Sequence, residues 1–142
     1  MYGQILVAVD STPESTDVLA HARELALATG AKVHVLHVRS YEILGGAAIG
    51  AQVVEDETEE EAQSFVQTSV AGLTAAGITA AGSEVDLARE TVAAEIREAV
   101  KETGADLLII GARRHGAIAT VFLGSVSDGI VHNPPCPLLL VP

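Results

Sequence analysis

Ile5-Leu-Val-Ala-Val9 is the stretch on which the fold turns. It is a continuous apolar run without alternation. It therefore reads as a strand buried on both faces, as in a parallel sheet covered by helices. The run stops at Asp10-Ser11-Thr12-Pro13. Thr12 suits a helix N-cap, and Pro13 suits the first helical position, where a missing N–H costs nothing. Val18, Leu19, Ala22, Leu25 and Ala26 then recur at helical spacing, and Gly30 is placed to end that helix.

Strand and helix signals continue to alternate along the chain, with no internal repeat or linker. Lys32–Val38 (KVHVLHV) is β-branched and strand-like. Residues 40–54 hold Gly45, Gly46 and Gly50, show no period and read as a loop. In the acidic run that follows, Thr58 and Glu61 have the spacing of a capping box, and the acids sit where a helix dipole favours them. Ala62, Phe65, Val66, Val70 and Leu73 form the apolar stripe of a second helix, ended by Gly77. Residues 78–87 hold a third strand, weakened by alanine and by Gly82. Val92, Ala93, Ile96, Ala99 and Val100 mark a third helix, ended by Gly104.

Leu107-Leu-Ile-Ile110 is a fourth buried strand, running into Gly111-Ala-Arg-Arg-His-Gly116. A short helical stretch reaches Leu123, and Gly124-Ser125 opens a last helix through Val126, Ile130 and Val131. Asn133-Pro134-Pro135 breaks it, and Leu138–Val141 is the fifth strand. Five strands alternating with four helices predict an α/β fold: one doubly wound, five-stranded parallel sheet with helices on both faces. The expected strand order is 3-2-1-4-5, in a single domain over residues 1–142. Ligands bind such sheets at the carboxyl ends of the strands, where the winding direction switches. Here those ends are Asp10 and Gly111.

Composition narrows the function. The chain has 142 residues, 19 acidic against 8 basic, for a formal net charge of −11. A nucleic-acid binder needs a basic face, and 3% aromatic residues offer few platforms for stacking bases. Nucleic acid is thus not an expected partner. One cysteine excludes a disulfide framework and fits a reducing, cytoplasmic setting. The amino-terminal stretch lacks a basic segment of the signal-peptide kind, and no apolar run approaches the roughly 18 residues of a membrane span. Neither G-x-G-x-x-G after the first strand nor G-x4-G-K-(S/T) occurs.

The unusual residues gather at the two loops of the switch point. Gly111 and Gly124 let backbone approach a ligand. Ser125 stands at a helix amino terminus, where N–H groups and a hydroxyl can hold an anion, and Arg113, Arg114 and His115 add positive charge. The plainer alternative is that the glycines serve turns, Ser125 is only a cap and the arginines are solvated. Asp10 can accept from a ribose hydroxyl or a base, hold a metal, or simply build an Asx turn that starts the first helix.

This constellation resembles the universal stress protein family. The resemblance rests on Ile5-Leu-Val-Ala-Val-Asp10 with Thr12 and Ser15, Leu36-His-Val38, Gly104-Ala-Asp-Leu-Leu-Ile-Ile-Gly111, Leu123-Gly-Ser-Val-Ser127 and Pro135-Cys-Pro-Leu-Leu-Leu-Val-Pro142. It covers essentially the whole chain. It implies a five-stranded parallel fold, a homodimer and, in one branch, bound ATP. The family's ATP pattern is G-x2-G-x9-G-(S/T). Gly111 matches its first glycine, and Gly124 with Ser125 its end. By the same resemblance Asp10 is the acidic nucleotide contact, Ala8 and Val38 wall the adenine, and Ser127 is a second hydroxyl near the phosphates. The middle glycine falls on Arg114, a departure. Arg114 either occludes the site or pairs with a phosphate oxygen.

The resemblance thus implies a regulatory stress protein that binds an adenine nucleotide, ATP with Mg²⁺. The rival reading is a dimeric interaction protein whose site Arg114 fills. No nucleophile–base pair is identifiable, so any hydrolysis is expected to be slow. Leu138–Val141 is expected to form an exposed edge that pairs across a two-fold axis. His34 and His37, three apart on a strand, face opposite sides and cannot share a metal. His21 and His132 read as helix-surface residues, and Cys136 as an inert, partly buried thiol.

Overall fold

The structure is a computed structural model that describes residues 1–38, 41–44, 52–55, 58–85, 92–112 and 129–142. Its strands are β1 (Gln4–Val9), β2 (Lys32–Val38), β3 (Tyr41–Leu44), β4 (Gln52–Glu55), β5 (Ala80–Val85), β6 (Leu107–Gly111) and β7 (Leu138–Val141). Its helices are α1 (Ser15–Thr29), α2 (Glu59–Ala75) and α3 (Val92–Thr103). Residues 129–132 are also helical. The main sheet runs β5-β2-β1-β6-β7 and is parallel throughout, which is the order 3-2-1-4-5 when its five strands are counted along the chain.

β1 is the central strand, paired with β2 and β6, and both its faces are covered. Ile5, Val7 and Val9 pack with Val18, Ala22 and Ala26 of α1 and Leu73 of α2. Leu6 and Ala8 pack with Val92, Ile96, Ala99 and Val100 of α3 and with Ile130. Ile5, Leu6 and Val7 are wholly excluded from solvent. Burying such side chains contributes about 1.5–3 kcal/mol each. The unbroken apolar run is therefore the sequence trace of a strand with a helix layer on either side.

Gly30, Gly77 and Gly104 end their helices with φ of 75°, 89° and 67°, a region closed to most side chains. The capping box is formed: Glu61 N–H donates to Thr58 Oγ1 at 3.1 Å, and Thr58 N–H donates to Glu61 Oε2 at 2.8 Å. Gly82 is more than a weak point in its strand. A Cβ there would lie 2.5 Å from Val66 Cγ1 and 3.0 Å from Val70 Cγ2, so its bare backbone is what lets α2 lie close on β5.

Two expectations are corrected. Residues 40–54 were expected to be loop, but β3 and β4 form an antiparallel ladder, with Tyr41 opposite Glu55 and Leu44 opposite Gln52. Each strand has four residues, too few for a period to show in the sequence. The first helix starts at Ser15 with Glu14 as its N-cap, not at Thr12 and Pro13. The reason is that the Thr12 side chain is engaged by Asp10. The stretch to Leu123 and the opening of the last helix at Gly124 and Ser125 lie outside the described residues.

Candidate functional site

The sheet register brings four of the expected site residues to one place. Ala8 lies between Leu36 of β2 and Ile110 of β6, and Val9 lies opposite His37. Asp10, Val38 and Gly111 follow directly at the carboxyl ends of these three adjacent strands. Ala8 is buried, and Asp10, Val38 and Gly111 are half-buried. This is the switch point, since β2 lies to one side of β1 and β6 to the other. Arg114, Gly124, Ser125 and Ser127 lie outside the described residues.

Gly111 also has a packing role. A Cβ at Gly111 would lie 3.3 Å from Val18 Cγ2 of α1, a tight contact that Val18 must yield to accommodate. Its φ is not positive, so close approach rather than backbone conformation accounts for the glycine.

Asp10 is held by its own turn. Thr12 donates to its Oδ1 twice, from the N–H at 3.0 Å and from the hydroxyl. Ser15 Oγ lies 3.0 Å from the same oxygen, accepts from the Asp10 N–H at 3.1 Å and donates to the Asp10 carbonyl. The Asx turn anticipated from the sequence is thus present, but the helix it precedes is capped without it. Among the described residues, Oδ2 has no hydrogen-bond partner. Sequence reasoning gave Thr12 the wrong task and quoted Ser15 only for its family resemblance. The signal for both was hydroxyl residues two and five positions after an aspartate that ends a buried strand.

A match to the universal stress protein family extends over residues 1–142. The chain belongs to that family. A universal stress protein of Synechocystis sp. is 32% identical, with 99% of this chain and 97% of the relative covered. Two solved universal stress proteins share the fold. One, from Archaeoglobus fulgidus in complex with dAMP, has a TM-score of 0.69 and 23% identity, covering 99% of this chain and 98% of its own. The other, in complex with cAMP, has a TM-score of 0.67 and 22% identity, covering 99% and 97%.

The remaining candidates fall away from the switch point. His37 is fully buried on the α2 side of the sheet, its ring centroid 4.7 Å from that of Phe65. His34 lies on the opposite face, with Nε2 2.8 Å from Ser83 Oγ. Burial pushes its pKa down, and the charge of Glu102 partly opposes this. His21 is exposed, with Nδ1 2.7 Å from the Asp17 carbonyl, and His132 is exposed as well. Cys136 is half-buried, and burial, then the charge of Asp106, holds its thiol above the ordinary value. A thiol kept protonated is a poor nucleophile. Among the described residues no group of three His, Cys, Asp or Glu side chains could hold a metal ion.

Proposed function

We propose that this chain binds an adenine nucleotide, ATP with Mg²⁺, at the carboxyl ends of β1, β2 and β6, and that occupancy of the site regulates a stress response. The observation that carries the reading is the Asp10 carboxylate, fixed at the switch point with one oxygen unpartnered among the described residues and with Ala8 and Val38 beside it. A carboxylate oxygen accepts from a sugar hydroxyl or an exocyclic amine, and apolar side chains suit an adenine face. Family membership and the nucleotide complexes of two neighbours lend support. Gly111, Gly124, Ser125 and Ser127 are the residues proposed for the phosphates. Mg²⁺ ordinarily keeps several waters and binds largely through phosphate oxygens, so it needs no protein cage.

Calorimetric titration of the full chain with ATP and Mg²⁺ tests this. Saturable heat is expected, and none at millimolar nucleotide, in protein shown to be folded, overturns it. The departure at Arg114 favours a second reading, in which its side chain occupies the site and the chain works through its surfaces. Arg114→Gly then creates or strengthens ATP binding. Weaker binding in that variant makes Arg114 a phosphate ligand instead.

The chain is further proposed to act in the cytoplasm, as one domain and as a homodimer. Among the described residues β7 pairs only with β6, and Leu140 is exposed, so its outer edge suits pairing with a second copy. A monomeric mass by sedimentation at micromolar concentration counts against the dimer. No helix among the described residues is long and apolar enough to cross a membrane.

A further inference from the structure

Thr12, in the turn after β1, and Ser15, the first residue of α1, carry hydroxyls that do not cap that helix. Serine and threonine at such positions ordinarily cap helix N–H groups. Here the N-cap, Glu14, makes no side-chain cap hydrogen bond. The first N–H groups of α1 are met by backbone: Ser15 N–H donates to the Thr12 carbonyl at 3.1 Å and Thr16 N–H to the Pro13 carbonyl at 3.2 Å. The Thr12 hydroxyl and N–H both donate instead to a single atom, Asp10 Oδ1, and Ser15 Oγ lies 3.0 Å from it.

Closing the turn does not require this convergence. Ser15, only 4% exposed, already ties both main-chain groups of Asp10 through its hydroxyl. Two donors from Thr12 on one carboxylate oxygen, with Ser15 Oγ packed 3.0 Å from it, do something more: they remove the rotational freedom of the side chain. The other oxygen is then held in a fixed position with its acceptor capacity unspent among the described residues. Binding sites gain from side chains whose rotamers are locked by supporting hydrogen bonds.

We infer that Thr12 is a positioning residue, which with Ser15 against it locks the Asp10 carboxylate so that Oδ2 meets a hydrogen-bond donor of the bound nucleoside. The inference rests on the nucleotide reading above. The experiment is a double-mutant cycle. ATP with Mg²⁺ is titrated into the wild type, Thr12→Val, Asp10→Ala and the double variant, with thermal unfolding run on each. Thr12→Val, nearly isosteric and at a half-buried position, is expected to weaken binding about tenfold. In the Asp10→Ala background it costs nothing further, and Thr12→Ser restores most of the loss. Thr12→Ala repeats the cycle if Thr12→Val fails to fold. Equal losses with and without the Asp10 carboxylate make the hydroxyl structural and overturn the inference, while nucleotide binding stands. A wild type that takes up no ATP overturns both.

Discussion

Two aspartates bracket β1, and they are used in opposite ways. At its amino end Asp106 spends both carboxylate oxygens on backbone. Gly3 N–H donates to Oδ2 at 2.9 Å and to Oδ1 at 3.2 Å, and Gln4 N–H donates to Oδ1 at 3.1 Å. Asp106 N–H returns a bond to the Gln4 carbonyl at 2.9 Å, so the start of β1 is tied to the chain entering β6. At the carboxyl end Asp10 takes two donors from Thr12 on one oxygen and, among the described residues, none on the other. A carboxylate saturated by backbone N–H groups holds the fold. One that is fixed through a single oxygen keeps the acceptor capacity of the other open among the described residues.

The comparison breaks most sharply at Asp10. Asp10→Asn keeps an acceptor for Thr12 but puts an NH2 donor in place of the other oxygen. ATP affinity measured by calorimetry should fall roughly 10- to 100-fold, with little change in unfolding temperature. Gly82→Ala should do the reverse. Its methyl group collides with Val66 and Val70, so chemical denaturation should show a loss of about 1–3 kcal/mol with nucleotide affinity unchanged.

Asp106→Asn should lower stability in a pH-dependent way. The Gly3 and then the Gln4 N–H groups pull the Asp106 pKa below its ordinary value. A depressed folded-state pKa contributes stability above the unfolded carboxyl value of about 3.9 and loses it as pH falls through the folded value. Wild type and variant should therefore differ most near neutral pH and converge in acid. Hydrogen exchange at the Gly3 and Gln4 amides should quicken in the variant. A smaller stability effect than at Gly82 is expected at Gly111→Ala, about 1 kcal/mol or less by denaturation, because its methyl group meets Val18 at 3.3 Å where one at Gly82 meets Val66 at 2.5 Å.

Much of the fold was legible because each element carries its own local signal. The buried strands show as unbroken apolar runs, the helices as stripes, and their ends as Gly30, Gly77 and Gly104 in left-handed turns. The strand pair of Tyr41–Leu44 and Gln52–Glu55 was missed because four residues do not establish a period. At the site, Ala8, Asp10, Val38 and Gly111 could be named from the family pattern. The task of Thr12 could not, since a hydroxyl before a helix reads as a cap unless its true partner is known.

The parallel sheet, its helical cover and the acidic balance of the chain follow from local sequence alone. Six of the 19 acids lie in residues 55–61, three of them in the first turn of α2 with a local electrostatic reason to be there. Tertiary structure alone decided which oxygen of Asp10 is spent, why Gly82 must lack a side chain, and that β1, β2 and β6 end side by side. Periodicity and capping depend on near neighbours in the chain. A contact such as Gly82 with Val66, or the adjacency of Asp10 and Gly111, depends on segments that meet only when the sheet closes.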